Sequence, residues 1–275
     1  MSIICFTSLK GGVGKTSMSL NVGHALAKMQ QKTIFLDLDP AAHASRYFQG
    51  SEIKPFNTES PLAHLFLKEK NFNNLKEHII HVRTNYDLIK GGAELRHFYW
   101  GRSATSFKTF FPQFIEYLKQ SYDNIVVDTA PDFNVLLRNA IAVSNMVVVP
   151  IDSSAMSIDC LEELFNYCGH ITKPDWSIIR TMVNSSATQV RTLSNSSIEQ
   201  KLHNKRDEKP IYLLNSFVNR TENQNRLSFL HRTAFDLKDT KKLAEQYSAV
   251  ALEIKGLLAY LAEPENDAEN LSLAM

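Results

Sequence analysis

Apolar and polar positions fall into blocks of two kinds along the chain. Continuous apolar runs at Ile3–Phe6, Thr33–Leu36, Ile125–Val127 and Met146–Val149 have the length of strands buried on both faces. Tyr86–Lys90, Ser177–Val183 and Ile211–Leu214 read as three further strands. Between them, apolar residues recur at helical spacing, as in Leu20, Val22, Ala25, Leu26 and Met29, and in Ile158, Leu161, Leu164, Phe165 and Cys168. The same rule predicts helices over Val135–Val143, around Ile198–Leu202, and over a long last segment from about Thr240 to Leu261. Thr58-Glu59-Ser60-Pro61 ahead of Leu62, Leu65 and Phe66 is a capped helix start, and a short helix is expected over Asn74–Ile80. Phe98, Tyr99, Phe107, Phe110, Phe111 and Phe114 read as core packing rather than a base-stacking surface.

Strands alternating with helices predict a doubly wound, mostly parallel α/β sheet with helices on both faces. Neither a composition break nor an internal repeat divides the chain, so one domain is expected over residues 1–262. Residues 263–275 carry Glu263, Glu265, Asp267 and Glu269 without a base and read as an acidic flexible tail.

The chemistry is concentrated where strands end. Between the first strand and the first helix stands Ser8-Leu9-Lys10-Gly11-Gly12-Val13-Gly14-Lys15-Thr16-Ser17. Such a loop turns backbone N–H groups toward an anion, and the helix N-terminus adds partial positive charge. Residues Lys10 to Ser17 are therefore the expected phosphate cradle, with Lys15 on the β- and γ-phosphates and the Thr16 hydroxyl on Mg²⁺. A dinucleotide-binding loop is disfavoured: the third glycine is missing and Lys15-Thr16 stands instead. The second strand ends in Asp37-Leu38-Asp39-Pro40, and Tyr122-Asp123-Asn124-Ile125-Val126-Val127-Asp128 is a second strand closing on a carboxylate. Carboxylates there lie in the ligand crevice of an open α/β sheet, where they hold Mg²⁺ or its waters or orient an attacking water. His43 reads as a solvated loop residue. Asn204-Lys205-Arg206-Asp207 matches the N-K-x-D guanine signature but follows a polar helical stretch, so it reads as a chance match.

Composition changes this picture little. The 275 residues carry a formal net charge of +1, so a nucleic-acid role must rest on a local patch. Twelve Lys or Arg against six Asp or Glu between Arg180 and Lys242 supply one candidate, with Arg220, Arg226, Arg232, Lys238, Lys241 and Lys242 late in it. Cys5, Cys160 and Cys168 form neither C-x-x-C nor zinc spacing and suit a reducing compartment. No secretory leader is recognisable and no run approaches the roughly 18 apolar residues of a membrane span, so a cytoplasmic location is expected.

The loop breaks the strict G-x-x-x-x-G-K-[ST] pattern, because Leu9 occupies the first glycine position. It fits the variant K-G-G-x-G-K-[ST] instead. This run, with Asp37-Leu38-Asp39-Pro40 and the strand ending at Asp128, resembles the deviant Walker A ATPases of the ParA/MinD family, closest to the ParA/Soj type. The resemblance implies a P-loop NTPase fold, ATP and Mg²⁺ as ligands, and slow, partner-stimulated ATP hydrolysis. It implies Lys10 reaching the partner's nucleotide across an ATP-dependent homodimer, Asp39 positioning the hydrolytic water, and Asp37, Asp128 and Thr16 around the metal. It also implies non-specific DNA binding on the nucleoid, an adaptor of the ParB kind, and partition or positioning of a plasmid, chromosome or other cargo. Two departures stand out. Ala41 replaces the family's glutamine after Asp39-Pro40, and Ala130 replaces the first proline after Asp128. Phe217-Val218-Asn219-Arg220 aligns with the family's DNA-binding segment after the last core strand and Lys242 with a basic position near the start of the final helix, so Arg220, Arg226 and Lys242 are the expected phosphate contacts. A MinD-like ATPase at a membrane surface shares every motif but needs a basic amphipathic C-terminal helix. A metabolic P-loop enzyme, or a reductase with a cysteine-bound cluster, is the other alternative.

Overall fold

The computed structural model describes residues 1–48, 60–69, 72–99, 101–184, 196, 198 and 211–263. Eight strands form one sheet: β1 (Ser2–Phe6), β2 (Thr33–Leu38), β3 (Ile79–Arg83), β4 (Tyr86–Ile89), β5 (Asn124–Thr129), β6 (Met146–Ile151), β7 (Asp175–Val183) and β8 (Ile211–Asn219). Their order is β3-β4-β2-β5-β1-β6-β7-β8, and every pair is parallel except β3 with β4. Among the described residues the principal helices are α1 (Lys15–Lys28), α2 (His43–Phe48), α3 (Pro61–His64), α4 (Leu75–His78), α5 (Gly101–Leu118), α6 (Val135–Val143), α7 (Ala155–Cys168), α8 (Glu222–Phe229) and α9 (Lys241–Leu261).

Strand alternation sorts the apolar runs onto two faces. Ile3, Cys5, Ile34, Leu36, Ile125 and Val127 face α5, α6 and α7; Ile4, Phe6, Phe35 and Val126 face α1 and α9. The aromatic run is core, as expected. Phe66, Phe98, Phe107, Phe111 and Phe114 are all at most 1% exposed, and Phe107 stacks on Phe111 with centroids 4.8 Å apart. Central β1 lies between β5 and β6, and the helices that follow it and its neighbours pack on opposite faces. The loop leaving β1 therefore opens into the crevice where an α/β sheet receives its ligand.

Three expectations need correction. The short helix stops at His78 and the chain continues as antiparallel edge strand β3, whose residues are mostly half-buried and give a weak sequence signal. The last strand runs on to Asn219, five residues past Leu214, because register shifts against β7 carry polar Asn215 and Ser216 along it. Phe217-Val218-Asn219 is therefore part of the last strand, and only Arg220 follows it. Ile198 is buried and helical; the rest of the helix expected around it, the Asn204–Asp207 match and residues 264–275 lie outside the described residues.

Candidate functional site

The loop between β1 and α1 is built for an anion. Gly12 and Gly14 have φ of +80° and +84°, a region that a side chain would strain. No side chain caps α1 and no acidic residue sits in its first turn, so the first N–H groups of the helix remain available as donors. The Thr181 hydroxyl on β7 holds the loop by donating to the Val13 carbonyl at 2.7 Å. Val13 itself is buried and contributes backbone alone.

The two lysines of the loop point to different partners. Lys15, 7% exposed, donates to Asp128 Oδ1 at 3.0 Å and to the Thr129 carbonyl. The Thr16 hydroxyl donates to Asp128 Oδ2 at 2.8 Å. Lys10 turns away to the start of α7, where its Nζ lies 2.6 Å from Asp152 Oδ2 and 2.7 Å from Ser154 Oγ. Burial works to raise the Asp152 pKa, but hydrogen bonds from Lys10, Ser154 and Ser157 outweigh it and bring it down to about 2.

Asp37 and Asp39 part company. Strand periodicity puts both on one face, yet β2 ends at Leu38 and Asp39 lies in the following turn. Asp39 faces the crevice, with Oδ1 accepting the Ala41 N–H at 2.8 Å and Oδ2 4.0 Å from His43 Nδ1. Burial raises its pKa. Asp37 is wholly buried behind it, accepting from Ser45 N (2.8 Å), Ser45 Oγ (2.6 Å) and Asp39 N (3.2 Å). Burial, helped by the charge of Asp128, pushes its pKa up to about 7.

A cavity of about 640 Å³ joins these groups. The loop from Lys10 to Ser17 lines one side, Asp39, Ala41 and His43 a second, and Gln224, Asn225, Ser228 and His231 from α8 and the turn after it a third. The segment after α8 is tied to α1 by buried side chains. Asn21 donates to the Ser17 carbonyl at 2.7 Å and accepts the Ala234 N–H at 2.8 Å. His24 Nδ1 lies 2.6 Å from Thr233 Oγ1, and burial lowers the His24 pKa to about 4. Asp236 accepts the Thr233 N–H and pairs with Arg83 through two bonds, at 2.8 and 2.9 Å.

Sequence reasoning found the loop and the three carboxylates but missed Asp152, Ser154 and α8. Asp152 does follow a buried strand, and Ser154 caps α7, so the crevice rule applied to β6 would have marked them. The three basic residues expected on DNA lie together. Arg220 and Lys242 line a groove of about 440 Å³ with Asn184, Asn219 and Gln246, and Arg226 pairs with Asp239 on the same groove. Val183 and Asn223 in this groove adjoin Met182 and Gln224 in the cavity. Arg220 is thus far from the phosphate loop in the chain but near the cavity in space.

Hydroxyl and carboxylate oxygens of Thr16 and Asp128 suit a hard cation such as Mg²⁺; Asp37 and Asp128 are both fully buried. Among the described residues no group of three His, Cys, Asp or Glu could hold a metal ion. Cys5 and Cys168 are buried and Cys160 is partly so; all three are free thiols with raised pKa values, away from the cavity lining.

Residues 1–180 match the family model described as an AAA domain. The sporulation initiation inhibitor protein Soj of Bacillus subtilis is 29% identical over 171 residues, 60% of this chain and 63% of Soj, so the chain spans less than two thirds of that relative. A plasmid partition protein from Borrelia burgdorferi superposes with a TM-score of 0.62 at 24% identity, covering 91% of this chain and 97% of its own. The Pyrococcus furiosus cell division ATPase MinD superposes with a TM-score of 0.70 at 16% identity, covering 93% and 99%. With the loop, the two carboxylate-bearing turns and the sheet order already in place, the chain belongs to this AAA-domain family and has the P-loop fold of the ParA/MinD type.

Proposed function

We propose that the protein is a nucleotide-driven dimerising ATPase of the ParA kind, which binds DNA without sequence preference in its ATP-bound form. The observation that carries this reading is the division of labour between the two loop lysines. Lys15 sits inside its own cavity against Asp128, whereas Lys10 is held at the rim by Asp152 and Ser154. A lysine at the rim is in place to reach a nucleotide held by a second copy.

In this reading the backbone of Gly11 to Ser17 and the Lys15 ammonium bind the triphosphate. Thr16 and Asp128 hold Mg²⁺, which neutralises charge on the β- and γ-oxygens. Asp39 accepts a hydrogen bond from the attacking water and aligns it with the γ-phosphorus. His43 stands beside that carboxylate where the family's glutamine is replaced by Ala41, and it adds a second polar group to the turn. The cavity wall formed by Gln224 and Asn225 of α8 receives the base. ATP closes two subunits face to face, and Lys10 then leaves Asp152 for the partner's phosphates, so that ATP stabilises the dimer over the monomer. Arg220, Arg226 and Lys242 contact DNA phosphates, an adaptor of the ParB kind stimulates hydrolysis, and the cargo is a plasmid, chromosome or other body. The protein then alternates between cytoplasm and nucleoid.

Light scattering with ATP and with ADP, followed by gel shifts across a salt series, tests this reading. Wild type is expected to dimerise and to shift DNA only with ATP, the affinity falling by roughly 0.9 log units per log unit of salt for each phosphate neutralised. Lys10→Ala should bind ATP as a monomer and show neither behaviour. Because Arg226 is already paired with Asp239, and Arg220 adjoins the cavity, DNA binding by their variants must be compared at saturating ATP. A Lys10→Ala protein that dimerises normally refutes the assignment of that lysine; absence of any ATP-dependent DNA shift refutes the DNA reading and favours a membrane or metabolic role.

A further inference from the structure

The turn that carries Asp39 is clamped from behind by Asp37 and Ser45. Asp37 reaches both ends of this turn. Its Oδ1 accepts the Asp39 N–H at the start, and its Oδ2 accepts the N–H and the hydroxyl of Ser45 in the first turns of α2. The Ser45 hydroxyl is itself an acceptor, taking the Gly91 N–H at 3.0 Å where the chain leaves β4. Gly91 is packed so closely that a Cβ there would lie 2.3 Å from the Asp37 carbonyl oxygen and 3.1 Å from that of Asp39. Ser45 is 3% exposed and Asp37 fully buried, so neither bond is shared with solvent. Inside the turn, Ala42 takes a left-handed φ of +52° and donates its N–H to the Asp39 carbonyl at 2.8 Å. A β-carbon resists that conformation, so the turn needs external bracing to keep it.

We propose that Ser45 is a positioning residue for ATP hydrolysis, its hydroxyl joining Asp37 to Gly91 and thereby fixing where the Asp39 carboxylate stands in the cavity. Asp37 is the other half of this brace and acts through Ser45 and the Asp39 backbone rather than as a metal ligand. This inference rests on the ATPase reading above. Misplacing a reacting group by about 1 Å costs around a hundredfold in rate while leaving binding groups untouched. Loss of Ser45 Oγ leaves Asp37 with two backbone donors, so the turn forms but is held less tightly.

Ser45→Ala and Ser45→Thr decide the matter in the full chain. Ser45→Ala is expected to lower kcat for ATP by about tenfold to a hundredfold, with KM within about twofold. Calorimetry should show its ATP affinity unchanged both with Mg²⁺ and in EDTA, because the phosphate cradle, Thr16 and Asp128 are not touched. Ser45→Thr keeps the hydroxyl and should recover most of kcat, a split that simple loss of stability does not produce. Wild-type kcat in Ser45→Ala overturns the proposal, as does a fall in kcat matched by an equal fall in ATP affinity. A wild-type protein that binds ATP and never hydrolyses it instead overturns the ATPase reading, and this is read in the wild-type arm alone.

Discussion

Replacing Asp152 by asparagine should strengthen ATP-dependent dimerisation. The carboxylate has two separate tasks. Oδ1 accepts Ser154 N, Ser154 Oγ and Ser157 Oγ at 3.2, 2.6 and 2.6 Å, while Oδ2 faces Lys10 alone among these groups. An asparagine can keep its oxygen on the serines and turn its NH₂ toward Lys10, where it attracts nothing. The Lys10 and Asp152 side chains are 18% and 24% exposed. Their pair therefore falls between a surface ion pair worth less than about 1 kcal/mol and a charge-assisted buried bond worth about 1.5–3 kcal/mol. Taking about 1 kcal/mol per subunit, opening both pairs costs about 2 kcal/mol per dimer, and removing that cost tightens the dimer about thirtyfold.

The assay is light scattering over a protein concentration series with ATP, beside Lys10→Ala and the double variant. The double variant should match Lys10→Ala, since Asp152 acts only through the lysine. Thermal melts of the Asp152→Asn monomer should fall by about 2 °C, the size expected for about 1 kcal/mol in a chain of this length. The depressed Asp152 pKa gives a second check. A carboxylate with a lowered folded pKa stabilises above its unfolded value and loses that contribution as pH falls from about 4 to about 2. Asp152→Asn should therefore flatten the acid limb of the stability curve. If it dimerises no more tightly than wild type, Asp152 does not compete for Lys10 and the switch lies elsewhere.

Lys15→Ala should remove measurable ATP binding by calorimetry, because this buried ammonium supplies the cradle's charge on the β- and γ-phosphates while Lys10 is paired with Asp152; unchanged affinity would refute the site. Asp39→Ala should slow hydrolysis by about a hundredfold or more yet leave an ATP-bound dimer in light scattering, and wild-type turnover would move attention to His43. His24 has a folded pKa lowered to about 4 by burial, so the unfolded chain takes up its proton first as pH falls. Stability should drop between about pH 6.5 and 4, by on the order of 3 kcal/mol in total, and His24→Asn should lose this dependence in denaturant titrations.

The parts of the site legible in the sequence are those that local rules govern. Glycines at positive φ, a lysine and threonine opening a helix, and aspartates closing apolar strands need only a few neighbouring residues to declare themselves. What stayed hidden depends on distant partners. Asp152 meets Lys10 across 142 positions, and nothing near either residue announces the other. The same applies to α8, whose polar residues look like any solvated turn until the fold sets them across from the phosphate loop. Asp37 and Asp39 part for a different reason. The D-x-D spacing is compatible with two ligands on one strand face, but the strand ends between them, and Asp37 is bonded to the N–H groups of Asp39 and Ser45. Edge strand β3 was read partly as helix because half-buried positions carry little periodicity. Arg220, Arg226 and Lys242 did cluster, though beside the cavity rather than away from it.

The bonds from Asn21 and His24 to Ala234 and Thr233 have a consequence for biosynthesis. The helix that follows the phosphate loop has two buried polar side chains whose partners lie 213 and 209 positions later. At a translation rate of roughly 5–20 residues per second, those partners follow by about 10–40 seconds. Until they arrive, the Asn21 amide oxygen and the His24 Nδ1 lack the partners they have in the fold, and α9 is missing from this face of the sheet. A nascent chain thus cannot complete its ATP site early. The packing of α1 is delayed until the ribosome has delivered Thr233 and Ala234.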